Sequence, residues 1–100
     1  MNYKQYIYSK IAEEASEIAQ AAIKTQLFGE YSTDPRENTG ETNITKLVKE
    51  LLDLACVTSI LDQITVSENI QLNSNFDPKE YAENKSIKLS QNWAIVKELQ

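Results

Sequence analysis

The sequence predicts an all-α protein, a helical bundle of three main helices in a single domain over residues 1–100. Two observations carry that expectation. Two Gly and two Pro in 100 residues leave few breaks, and the apolar residues favour Ile, Leu and Ala. Those residues also recur at helical spacing between recognisable start and stop signals. A three-helix domain of this length leaves much apolar surface uncovered, so association into a homodimer or homotetramer is expected to complete the bundle.

The first helix is expected from Tyr3 to Phe28, ending near Gly29, a residue suited to a C-terminal cap. Residues 30–42 contain Pro35, Gly40 and mixed charge, and read as a loop. A second helix begins near Thr42 or Asn43, both acceptable N-caps, and continues to about Val66. Residues 67–76 form a polar connection. Asp77-Pro78-Lys79-Glu80 is then a start signal, with Asp at the cap, Pro at the first helical position and Glu three residues after the cap. The third helix runs from Pro78 to about Leu99.

Charge and composition narrow the function. A net charge of −5 argues against a general nucleic-acid binder, which needs a basic surface. It does not exclude a nucleotide substrate, because cations can offset carboxylates. The chain has no His, which removes the common zinc sites and His-based acid–base catalysis. Cys56, the only cysteine, has no partner for an intrachain disulfide and no His to activate it, and is expected as a small core or interface residue. No segment is apolar enough to span a membrane and the N-terminus lacks a signal-peptide core, so a cytoplasmic location with no membrane partner is expected.

The acids fall in unexpected places. At about 100° per residue, Ile7, Ile11, Ile18 and Ala22 share a stripe roughly 60° wide, and Glu14 sits at its edge, about 20° from Ile7. Glu17 lies some 60° further round and Glu13 beyond it. On the second helix Glu50 projects between Val57 and Leu61, and Asp53 between Ile60 and Ile64. Val48, Leu52 and Ala55 occupy another side, so this helix is expected to be central and packed on more than one face. Carboxylates on inward faces cost several kcal/mol in desolvation unless they are neutralised or paired. A divalent cation between the helices would resolve that cost. Glu14/Glu17 and Glu50/Asp53 are each i,i+3 neighbours, and two such clamps supply the oxygen ligands that Mg²⁺ and Mn²⁺ prefer.

The third helix carries the opposite charge. Lys85, Lys88 and Asn92 share a stripe with Tyr81, Ile95, Val96 and Leu99. Either these lysines cover apolar surface with their stems, or they contact a polyphosphate held by the metal. Lys24, two turns after Glu17, has the same two readings.

The stretch Ile11-Ala12-Glu13-Glu14-Ala15-Ser16-Glu17 resembles the EExxE motif of the MazG-like all-α nucleoside triphosphate pyrophosphohydrolases, and Glu50-Leu51-Leu52-Asp53 resembles their ExxD motif. The flanks Ala21-Ala22-Ile23-Lys24, Phe28-Gly29 and Thr42-Asn43 are similar to small members of that family, including many encoded by phages. The resemblance covers roughly residues 8–65, with an echo in Lys85 and Lys88. It implies Mg²⁺-dependent cleavage of a nucleoside triphosphate to monophosphate and pyrophosphate, with Mn²⁺ as a substitute. It further implies metal ligation by Glu14, Glu17, Glu50 and Asp53, with Glu13 orienting a water. Lys24, Lys85 and Lys88 would then stabilise the leaving pyrophosphate, and Asn43 would contact the nucleotide unless helix capping is its role. Tyr6, Phe28, Tyr31 and Trp93 are unranked candidates for holding the base.

Two other readings remain open. A specialised dUTP or dCTP pyrophosphatase, or a phosphoribosyl-ATP pyrophosphohydrolase, would share the metal site and differ in the base pocket. A non-catalytic helical interaction module would leave the acids solvated or paired with lysines. A di-iron carboxylate bundle is set aside, because its Glu-x-x-His pairs have no counterpart here.

Overall fold

The computed structural model describes residues 1–100, with helices α1 (Tyr3–Phe28), α2 (Asn43–Ser67) and α3 (Pro78–Glu98). There is no strand, only an isolated antiparallel bridge between Thr33 and Thr42. The chain divides into two compact units, residues 1–70 and residues 71–100. No helix is long and apolar enough to cross a membrane.

The first unit is an antiparallel hairpin of α1 and α2 whose ends are fixed by local chemistry. Asn2 opens α1 with a reciprocal cap: its Oδ1 accepts from the Gln5 N–H at 2.8 Å, and Gln5 Oε1 accepts from the Asn2 N–H at 2.9 Å. Gly29 ends α1 at φ 96°, a conformation that costs a residue with a Cβ dearly. Thr42, rather than Asn43, caps α2, its Oγ1 accepting from the Thr45 N–H. The next two N–H groups of α2 reach back into the loop, Asn43 to the Ser32 carbonyl and Ile44 to the Glu30 carbonyl, both at 2.9 Å. These bonds satisfy donors that a helix start otherwise leaves orphaned.

At the far end of α2, Asn69 adopts φ 53°. The Ile70 N–H then bonds the Thr65 carbonyl and the Asn69 N–H bonds the Val66 carbonyl, closing a Schellman motif. Lys4 meets Glu68 at 3.1 Å, tying the beginning of α1 to the end of α2.

Between these ends the helices meet along two seams. On α1 it runs through Ile7, Ile11, Glu14, Ile18, Ala21 and Thr25; on α2 through Asn43, Leu47, Glu50, Leu54, Val57, Leu61 and Ile64. Steps of four and three alternate, averaging the 3.5-residue repeat of two helices that wrap around each other. This corrects the straight-helix projection in two places. Ala22, expected in the α1 stripe, is exposed, and Ala21 takes the inward position. Asp53, expected among apolar neighbours, is also exposed at the seam's edge. A straight helix drifts about 20° per heptad from a 3.5-residue seam, and the roughly 40° accumulated over the two heptads from Ile7 brings Ala21 to the seam in place of Ala22.

Two helices enclose little. Ile7 and Asn43, at 3% and 8% exposure, are the only buried residues. The other α2 face, expected to be covered, leaves Val48, Leu51, Leu52 and Ala55 exposed, because a lone hairpin offers α2 one helical neighbour within this unit. Cys56, expected in a core or interface, is exposed.

In the second unit, Asp77 Oδ1 accepts from the N–H groups of Lys79 and Glu80 at 3.0 and 3.2 Å, and Pro78 occupies the first turn of α3. Phe76 before the cap packs on Tyr81 with ring centroids 5.7 Å apart, a hydrophobic staple that sets the entry of the chain.

Candidate metal centre

Glu14 and Glu50 occupy seam positions on facing helices, so the α1–α2 hairpin points them at each other. One oxygen each from Glu14, Glu50 and Asp53 lies within 4.8 Å of the other two. Glu17, one turn after Glu14 and half-buried, approaches Glu50 from α1. Three of the four acids of the two i,i+3 pairs therefore converge, and Glu17 stands outside that group, beside Glu50.

Their electrostatics are unbalanced. Glu14 Oε2 and Glu50 Oε2 are closed to solvent and have no hydrogen-bond partner. Ionised carboxylates only accept, so nothing within the group can satisfy them while all carry charge. The neighbouring Glu17 carboxyl is the largest cause pushing the Glu50 carboxyl up to about 7, followed by burial, the Glu14 carboxyl, and the charges of Glu17 and Glu14.

The donor set suits a hard divalent cation. Its atoms are all anionic oxygens, and oxygens opposite each other around Mg²⁺ stand about 4 Å apart, within the spread found here. Glu14, Glu50 and Asp53 could hold the ion directly, with Glu17 closing in through Glu50.

A cleft of about 270 Å³ opens from Glu17 and Glu50 along the hairpin, lined further by Gln20, Ala21, Lys24, Asn43, Lys46 and Lys49 and by the loop acids Glu37 and Glu41. Lys46 pairs with Glu37, and Lys49 with Glu41, linking the loop to α2 beside the acids. The Glu41 pairing raises the pKa of Lys49, so that lysine stays charged.

Of the residues singled out from sequence, Lys24 and Asn43 share this cleft with Glu17 and Glu50. Asn43 also has structural work: its Nδ2 donates to the Gly29 carbonyl at 3.1 Å, joining the end of α1 to the start of α2. Glu13 is not brought into the group; it is exposed and paired with Lys10 at 2.9 Å. Lys85 and Lys88 are exposed on α3, in the second unit. Lys46, Lys49, Glu37 and Glu41 were missed. Lys46 was open to detection, since it lies one turn before Glu50 on the same side of α2. The loop acids carried no periodic signal.

No protein-family model matches the chain, and comparisons with curated proteins and with solved structures find no match.

Proposed function

We propose that this chain is a metal-dependent hydrolase of phosphoanhydride bonds. More particularly, it is a Mg²⁺-dependent nucleoside triphosphate pyrophosphohydrolase that releases nucleoside monophosphate and pyrophosphate from an NTP or dNTP. The observation that carries this reading is the pair of solvent-excluded, unpartnered oxygens on Glu14 and Glu50, facing each other from two helices with Asp53 in reach. A divalent ion removes their mutual repulsion, and the adjoining cleft supplies the cations a triphosphate needs.

Glu14, Glu50, Asp53 and Glu17 would hold the ion, which when bound supplies charge neutralisation and a more acidic water. Lys24, Lys46 and Lys49 offset phosphate charge along the cleft, the last two exchanging their loop carboxylates for phosphate oxygens. Glu13 must leave Lys10 before it can orient a water. Lys85 and Lys88 are further candidates for binding the pyrophosphate. Mn²⁺ shares the ligand preference of Mg²⁺ and is expected to substitute. Exposed Val48, Leu51 and Leu52 support assembly into a dimer or tetramer.

The same exposed residues also favour a second reading, a helical interaction module with no turnover. Pyrophosphate release across a panel of NTPs and dNTPs, with Mg²⁺ and with EDTA, separates the two. Metal-dependent release from at least one triphosphate is expected, and the panel also tells a general enzyme from one specialised for dUTP or dCTP. Phosphoribosyl-ATP is assayed beside it. No release from any of them with Mg²⁺ leaves the interaction module.

A further inference from the structure

We propose that the recess between Phe28 and the loop stretch from Thr33 to Arg36 seats the base of the nucleotide. The proposal rests on the pyrophosphohydrolase reading and adds to it where the nucleoside end of the substrate lies.

The recess has a volume of about 360 Å³, and Lys24 and Asn43 line both it and the acidic cleft. The two spaces therefore adjoin at these residues, and the chemistry changes from one to the other. At one end stand Glu17 and Glu50, where a metal and phosphates would be held. Lys24 and Asn43 form the shared wall. Beyond them the lining turns to Phe28, Ser32, Thr33, Asp34, Pro35 and Arg36, among which Phe28 and Arg36 carry planar groups. A nucleoside triphosphate has that same order: anionic chain, polar sugar, flat aromatic base.

Two surfaces of the recess suit a π-face. Phe28, the last residue of α1, is 67% exposed, so its side chain is open to a ligand. Arg36 is pre-arranged by Asp34: its Nε donates to Oδ1 at 3.0 Å, its Nη2 to Oδ2 at 2.9 Å, and its backbone N–H to Oδ1 at 2.9 Å. This two-pronged contact orients the guanidinium plane while leaving the side chain 83% exposed, and both phenyl and guanidinium planes stack on bases. The loop cannot withdraw freely, because Asn43 and Ile44 hold its other part through the Ser32 and Glu30 carbonyls. Of the four aromatic candidates for the base, Phe28 is the one that lines a recess adjoining the acidic cleft.

The test measures binding in Mg²⁺ by calorimetry, using α,β-methylene analogues of the four common NTPs and inorganic tripolyphosphate. Wild type is expected to bind at least one analogue about tenfold more tightly than tripolyphosphate. Phe28→Ala is expected to lose about that factor for the analogue while tripolyphosphate changes by less than about twofold, and Arg36→Ala to move the same way. Phe28→Leu, which keeps apolar bulk without a π-face, is expected to bind the analogue weakly, and Phe28→Trp to bind it at least as well as wild type. Circular dichroism verifies each fold. Equal weakening of both ligands, or of neither, in Phe28→Ala overturns the base site. Binding of tripolyphosphate with no analogue bound more tightly defeats this inference alone and leaves the metal reading intact. Absence of binding by every probe defeats both.

Discussion

Replacing Asn43 with alanine separates a structural role for this residue from a substrate-binding one. Its side chain sits at 8% exposure and donates to the Gly29 carbonyl at 3.1 Å, bridging fourteen residues of sequence. Gly29 itself is exposed, so water can take over part of the lost bond. The cost therefore falls near a single net hydrogen bond, about 1 kcal/mol, rather than the higher figure for a fully buried acceptor. In a unit of this size that shifts the unfolding midpoint by about 4–8 °C. Thermal denaturation followed at 222 nm measures it, best in EDTA so that metal binding adds nothing. Asn43→Asp removes the donor at constant size and sets a carboxylate oxygen against the carbonyl, so it is expected to lose at least as much. An Asn43→Ala protein that melts with wild type and shows only a raised KM refutes the structural assignment.

Other outcomes follow from the same geometry. Glu14→Gln or Asp53→Asn is expected to abolish pyrophosphate release while helical content stays near wild type; full turnover in either removes that residue from the metal set. In metal-free protein the Glu50 carboxyl is pushed up to about 7 from an ordinary 4.5, so the folded state binds the extra proton. That contribution is complete below the ordinary value and is lost as pH rises through about 7. The midpoint in EDTA should therefore fall between about pH 5 and pH 8, Mg²⁺ should restore it at the upper end, and Glu50→Gln should flatten the slope. A midpoint independent of pH over that range contradicts the crowding of Glu50. Gly29→Ala is expected to cost about 1–3 kcal/mol, because φ 96° is unfavourable with a Cβ although nothing stands closer than Ser32 Oγ at 3.6 Å. A wild-type midpoint in that variant would show that the turn can rearrange.

The helices were legible because their ends are local chemistry. Gly29, Thr42 and the Asp77-Pro78-Glu80 run act within one turn, and the helix limits follow them closely. Asn2 and Asn69, which also set ends, escaped a reading led by apolar periodicity. The presence of Glu14 and Glu50 on inward faces was legible too, since an angle about a helix axis depends on sequence spacing alone.

What spacing cannot supply is the phase of a seam between two wrapping helices. That phase put Ala21 inward in place of Ala22 and moved Asp53 to the edge, where it still reaches the acids. Nor does spacing trace a loop. The return of residues 30–42 onto α2 gave Asn43 its Gly29 partner, set Glu37 and Glu41 against Lys46 and Lys49, and brought Arg36 and Phe28 to the lining of one recess. The sequence by itself determined three helices and one acid, Glu14 or Glu50, facing inward from each of two of them. The tertiary structure decided which oxygens lose their water and what lines the cleft beside them, because both depend on where two distant segments come to rest.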